Sequence, residues 1–271
     1  MAGIDLHRPT DAMAAQAVKA RLGSRGAFVG GGTALQLGWV EREPELTLVP
    51  VAALPQAQGV ALVDAAPWGG RLRIGAAVRL EQVRTDVLVR EHAPLLSTAC
   101  EALAALSVRN LATLGGNVGW GSGDALAALM ALDAQAELAD GTLQPLPALL
   151  ALDELPLLVA LHVPLGPPTR RAWFEKIGHR QSFSPTRLTL AGCAAGGARV
   201  AMAQVRLACC AAGLRARRMV HVEALLDGRA APQVASSAVH AACAQDLPAS
   251  PALARLAGRV VDGQLRLGAW S

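Results

Sequence analysis

The chain has 271 residues, 52% hydrophobic and 17% charged, with a formal net charge of +4 at pH 7. That balance supplies a sizeable core and excludes a disordered chain. The positive charge is almost entirely arginine, Lys19 and Lys176 being the two lysines, and no basic run is interleaved with aromatics, which argues against nucleic-acid binding.

Arg8-Pro9 reads as an extended entry, and Thr10 or Asp11 as a cap for a helix over 12–22. Residues 27–29 form a short apolar strand running into Gly30-Gly31-Gly32-Thr33-Ala34-Leu35. A short helix or turn over 33–39 and a strand over 46–50 complete a small β-α-β-β unit. Strands at 59–63 and 71–75 make a hairpin around Trp68-Gly69-Gly70. Residues 80–89 and 93–106 are helical, with Leu95, Leu96, Ala99, Leu103 and Leu106 expected on the core face. The glycine-containing stretch Arg109–Asn117 follows. A helix over 124–132 has Asp124 placed as its N-cap, and a hairpin over 134–143 turns at Asp140-Gly141. A boundary is expected near Gly166-Pro167-Pro168. Beyond it come three strands, at 172–177, 187–191 and 205–210. Helices around 220–226, 236–243 and 251–260 then suggest a small α+β domain. Arg215-Ala216-Arg217-Arg218 reads as a solvated face or loop.

Cys100, Cys193, Cys209, Cys210 and Cys243 form no C-x-x-C pair, so spacing encodes neither a zinc site nor an iron–sulfur cluster. An odd count fits a reducing cytoplasm. The most apolar segment, 143–165, is interrupted by Pro145, Pro147, Asp153, Glu154 and Pro156 and does not read as a membrane span. Six scattered histidines lack ligand spacing, and no nucleophile elbow is present, so no catalytic acid, base or metal ligand is assigned.

Two glycine stretches organise the chain, Gly30–Ala34 and Thr113–Asn117. Each sets a threonine hydroxyl beside glycines whose backbone N–H groups are expected to form an anion nest. Two nests suggest a ligand with two phosphates, hence a dinucleotide. Spacing alone leaves two ordinary turns as the alternative.

Taken together, these residues resemble the FAD-binding medium subunit of the molybdenum hydroxylase family, which includes xanthine and carbon monoxide dehydrogenases. The resemblance rests on Gly30-Gly31-Gly32-Thr33-Ala34-Leu35, on Arg109–Asn117 read as R-N-x-A-T-x-G-G-N, and on Asp124. It extends to Gly70–Ala76, Phe174-Glu175-Lys176 with Arg180, and Glu223–Gly228. It implies a two-subdomain FAD-binding, PCMH-type α+β fold followed by a small C-terminal α+β domain with a three-stranded antiparallel sheet and helices. The expected domains are 1–54, 55–166 and 167–271, the last resembling the C-terminal domain of carbon monoxide dehydrogenase flavoproteins.

The resemblance also implies that FAD is held by Gly30, Gly31, Gly32, Thr33, Ala34, Thr113, Leu114, Gly115, Gly116, Asn117, Asp124 and Lys176. Arg109 is expected to brace its loop, and Trp120 or Phe183 is the aromatic nearest the motifs. The implied role is that of an oxidoreductase subunit in a cytoplasmic heterotrimer. It would take electrons from a [2Fe–2S] small subunit, fed by a molybdenum-cofactor large subunit, and pass them through FAD to NAD or another acceptor. The short connection Gly121-Ser122-Gly123-Asp124 and the scarcity of aromatics leave a second reading, a scaffold subunit that has lost FAD. A third is a stand-alone flavin reductase.

Overall fold

The computed structural model describes residues 4–36, 47–63, 70–166, 170–178, 186–196 and 200–268. Parts of the expected 33–39 and 46–50 elements, the Trp68-Gly69 turn, Pro168, Arg180 and Phe183 lie outside the described residues. The chain divides into two units, Met1–Gly121 with Ala134–Leu165, and Ser122–Asp133 with Gly166–Ser271.

The first unit opens with β1 (Asp5–Leu6), α1 (Ala12–Leu22), β2 (Gly26–Val29) and β3 (Thr47–Pro50). Asp11 caps α1 by accepting from Ala14 N at 2.8 Å. Ala12, Ala15 and Val18, spaced to share one helix face, pack with Val49, Val51 and Leu54. The three strands pair in parallel in the order β1-β3-β2, as a β-α-β connection requires.

Next come β4 (Val60–Val63), β5 (Arg71–Gly75), α2 (Leu80–Thr85), α3 (Val87–His92), α4 (Pro94–Glu101), α5 (Leu106–Arg109) and α6 (Leu114–Gly119). Helix α7 (Asp124–Ala131) belongs to the second unit. The chain returns to the first with β6 (Gln135–Leu138), β7 (Leu143–Pro145), α8 (Leu146–Leu150) and β8 (Leu158–Pro164), which complete an antiparallel sheet in the order β4-β5-β8-β6-β7. Leu72 and Ile74 of β5 are fully buried, while Arg73, pointing to the other face, bonds Glu137, which in turn meets His162 at 2.7 Å.

The helical region is more broken than its composition suggests. Asp86 ends α2 and caps α3, accepting from Val89 N. Leu95, Leu96 and Ala99 are buried as expected, but Leu106 is 53% exposed. The helix stops after Glu101 and the chain turns through Ala104 at φ 44°, which resets the helical phase before Leu106.

The second unit holds β9 (Arg170–Gly178), β10 (Thr186–Ala195), β11 (Ala203–Ala211) and β12 (Leu214–Arg218), then α9 (Val220–Leu226), α10 (Ser236–Asp246) and α11 (Pro251–Leu267). The sheet is antiparallel in the order β12-β11-β10-β9, so it has four strands where the sequence suggested three. The fourth contains the arginine patch. Its Arg218 is held by Asp133 and Glu223 and is not solvated freely. Leu188, Leu190, Leu207 and Cys209 face the core built with α9, α10 and α11. The alternate residues Thr189, Cys193 and Cys210 face α7, donating to Asp124, Ala131 O and Gly123 O. Burial on both faces explains why these strands read as nearly continuous apolar runs. It also sets Cys209 and Cys210 on opposite faces, where neither serves the other as a redox partner.

Candidate functional site

In the first unit the two glycine stretches touch. A Cβ on Gly30 would stand 2.3 Å from Thr113 Oγ1, and one on Gly31 would stand 1.8 Å from Leu111 O. Neither position has room for a side chain: glycine lets the first loop lie on the Thr113 side chain at Gly30 and on the Leu111–Ala112 backbone at Gly31. Gly32 serves differently, turning the first loop at φ 70°. On the second stretch, a Cβ on Gly115 would collide with Ala76 Cβ at 2.6 Å.

The two stretches differ in what their backbones offer. The second has its N–H groups committed internally. Leu114 N donates to Val78 O at 2.9 Å, Gly115 N to Ala76 O at 2.8 Å, Gly116 N to Thr113 Oγ1 at 3.1 Å and Asn117 N to Thr113 O at 3.0 Å. The expectation of a nest there is corrected: Thr113 is the N-cap of α6, and the helix with its bridge to residues 76–80 consumes those donors. The first loop keeps its donors. Among the described residues, the N–H groups of Gly31, Gly32 and Thr33 meet no acceptor, and the loop, with Ala34, is half-buried. One polar atom of the second stretch is likewise unmatched: Asn117 Oδ1 is buried with no hydrogen-bond partner.

Arg109 braces this arrangement. Its Nε meets Glu81 Oε2 at 2.7 Å, and its Nη1 donates to Leu103 O and Ala104 O, each at 2.9 Å. Hydrogen bonds from Arg84 and Arg109 hold the Glu81 carboxyl at about 2, below its ordinary 4.5. Glu81 and the backbone of Leu111 and Ala76 are contributions that sequence reading missed. Only the Glu81–Arg84 spacing on α2 carried any signal for them.

In the second unit Asp124 and Lys176 are each other's partners. Lys176 Nζ stands 2.7 Å from Asp124 Oδ2, and the two side chains are 19% and 6% exposed. Thr186 and Thr189 hydroxyls also donate to this carboxylate, at 3.0 and 2.7 Å. Asp124 is therefore not a cap. The N-cap of α7 is Gly123, whose extended φ of −69° and ψ of 139° makes Asp124 the first helical residue, with its carboxylate turned onto the sheet.

Residues 2–149 match the family described as the FAD binding domain in molybdopterin dehydrogenase. A xanthine dehydrogenase FAD-binding subunit of Escherichia coli O157:H7 is 32% identical over 93 residues, 34% of this chain and 30% of that relative, so the match spans under a third of the relative's length. Among solved structures, a carbon monoxide dehydrogenase of Hydrogenophaga pseudoflava superposes with a TM-score of 0.79 at 23% identity, covering 98% of this chain and 95% of that one. A quinoline 2-oxidoreductase of Pseudomonas putida 86 gives 0.75 at 18%, covering 98% and 96%. At these identities the structures establish the fold. With the family match covering more than half of its residues, the chain belongs to the FAD-binding domain family of the molybdopterin dehydrogenases.

Proposed function

We propose that the chain is the FAD-carrying electron-transfer subunit of a molybdenum hydroxylase complex, and that the first glycine loop holds the FAD diphosphate. The observation that carries this is the run of three successive backbone donors, Gly31, Gly32 and Thr33, without acceptors among the described residues. Donors of this kind, half-buried and set side by side, suit a diphosphate better than a single carboxylate. The residues present therefore fit the cofactor. The second stretch plays a different part: Thr113 and Leu111 support the first loop, and Asn117 Oδ1 would be open to accept a hydroxyl or N–H from the ligand. Ala34, Leu114, Gly115 and Gly116 shape the cradle by their small size or their backbone bonds. The Arg109–Glu81 pair keeps it rigid, so that little ordering is needed on binding. Asp124 and Lys176 form a polar pair in their own unit, and a cofactor contact by either requires that pair to open.

When bound, the isoalloxazine supplies the redox chemistry; the chain positions it and keeps it in place. No side chain is assigned a proton-transfer role. In the proposed cytoplasmic complex, the [2Fe–2S] clusters and the molybdenum cofactor would be carried by partner subunits. No helix of the described residues is long and apolar enough to cross a membrane.

The test is the absorption spectrum of the purified full chain and the identity of any ligand released by heat. Flavin bands with FAD, and not FMN, in the supernatant are expected. A folded, colourless chain that takes up no added FAD, alone or co-expressed with its partners, refutes the proposal.

A further inference from the structure

On α6, Thr113, Gly116, Asn117 and Trp120 follow the i, i+3, i+4, i+7 spacing that places residues on one helix face, while Leu114 and Val118 are buried on the other. The row begins at the first glycine loop, since Thr113 Oγ1 fills the space beside Gly30. It continues through the unmatched Asn117 Oδ1 and ends, about 10 Å along the axis, at the Trp120 ring. Trp120 is 51% exposed, although tryptophan is on average a highly buried residue. Before it, Gly119 is exposed and a Cβ there would meet nothing within 4 Å; after it, the buried Gly121 ends the row at a φ of 73°. Of the thirteen exposed large apolar side chains among the described residues, Leu106, Val108, Leu111 and Trp120 fall within fifteen consecutive positions. Four of the thirteen thus belong to the segment that carries the second glycine stretch.

From the unmatched acceptor and the exposed aromatic on this face, beside the donors of the first loop, we infer that Trp120 stacks against a ring of the bound dinucleotide, making it a cofactor-binding residue. The inference rests on the FAD reading above. With a diphosphate on Gly31, Gly32 and Thr33, Asn117 and Trp120 would be the next polar and aromatic groups along the face that begins at Thr113. An indole face offers a planar ring both apolar area and a polarisable surface.

The experiment titrates the full chain and its Trp120→Ala and Trp120→Phe variants with FAD, reading the dissociation constant and the emission lifetime of the bound flavin. Far-ultraviolet circular dichroism confirms that each is folded. Trp120→Ala is expected to weaken FAD about tenfold, the scale of one lost aromatic contact, with Trp120→Phe within about threefold of the wild type. If the isoalloxazine is the ring concerned, both substitutions also lengthen the bound flavin lifetime several-fold, because a stacked indole quenches flavin emission by electron transfer. If the adenine is concerned, the lifetime is unchanged, and ADP affinity falls in Trp120→Ala in step with FAD. A wild type that binds FAD, with Trp120→Ala binding it equally tightly and emitting equally, overturns the inference while leaving the FAD reading standing. A wild type that binds no FAD overturns both.

Discussion

Replacing Gly31 with alanine tests whether the two glycine stretches are held against each other. The added methyl carbon would stand 1.8 Å from Leu111 O and 2.9 Å from Ala112 N, where ordinary contact begins at 3.4 Å. Both obstructing atoms are backbone, so no flexible side-chain end can swing aside. The loops have to part by about 1.5 Å, and overpacking of this kind costs about 2–3 kcal/mol. The same separation shifts the unmatched donors of the first loop, so FAD affinity should fall by at least about tenfold, the equivalent of 1.4 kcal/mol. Urea unfolding of the FAD-free chain, followed by circular dichroism, reads the first effect, and flavin titration reads the second. Two controls separate crowding from backbone preference. Gly119→Ala lies in a helix with open space around it and should leave stability unchanged or raise it by about 0.5–1 kcal/mol. Gly32→Ala has room but sits at φ 70°, and should cost about 1–2 kcal/mol. A Gly31→Ala protein within about 0.5 kcal/mol of the wild type would refute the contact between the stretches, whatever its flavin content.

Glu81→Gln should destabilise the chain at pH 7 by about 1–2 kcal/mol, discounted for solvent screening. The wild-type carboxyl lies near 2 against an ordinary 4.5, so its contribution is present above about 4.5 and lost as pH falls towards 2. The gap between the two proteins in urea midpoint should close over that window; a gap independent of pH would contradict the assignment. Lys176→Met leaves the buried Asp124 carboxylate on two threonines and should cost about 2–4 kcal/mol, most of it recovered when Asp124→Asn is added. Simple additivity in that double-mutant cycle would show that the two groups do not act as a pair. Burial raises the thiols of Cys100, Cys209, Cys210 and Cys243 to about 12 and that of Cys193 to about 11. All five should resist iodoacetamide at pH 8 in the folded chain and react within minutes in guanidinium, a contrast that mass spectrometry reads directly.

Local signals in the sequence were reliable where the structure they specify is local. Asp11 and the small-residue face of α1 defined that helix to the residue, and Asp140-Gly141 marked its hairpin turn. The signal failed where a distant partner decides. Arg215–Arg218 looked like a solvated patch because Asp133 and Glu223, the acids that receive Arg218, lie far off in sequence or on another element. Arg73, Glu137 and His162 meet only through the pairing of β5, β6 and β8. Asp124 looked like a cap because acids before apolar helices usually are, and only the sheet beneath it reveals Lys176, Thr186 and Thr189. The glycine stretches were legible as a site by their composition. Which of them keeps its donors was not, because that depends on carbonyls at Ala76 and Val78.

Helix α7 bears on how this protein can be cut and recombined. All eight of its residues are buried, and they belong to the unit formed by the later part of the chain, although the flanking segments belong to the other. The stretch that recurs as a family, residues 2–149, thus contains a helix whose sheet is encoded after residue 166. A gene fragment ending at the family's edge would carry that helix, apolar in seven of its eight residues, without its β10 and β11 surface, leaving a sticky segment in water. The module seen by comparison of sequences and the module able to fold are different objects here. A fusion or a swap between relatives that respects only the first would trade soluble protein for aggregate; exchanging residues 122–133 together with the C-terminal unit would keep the helix with its sheet.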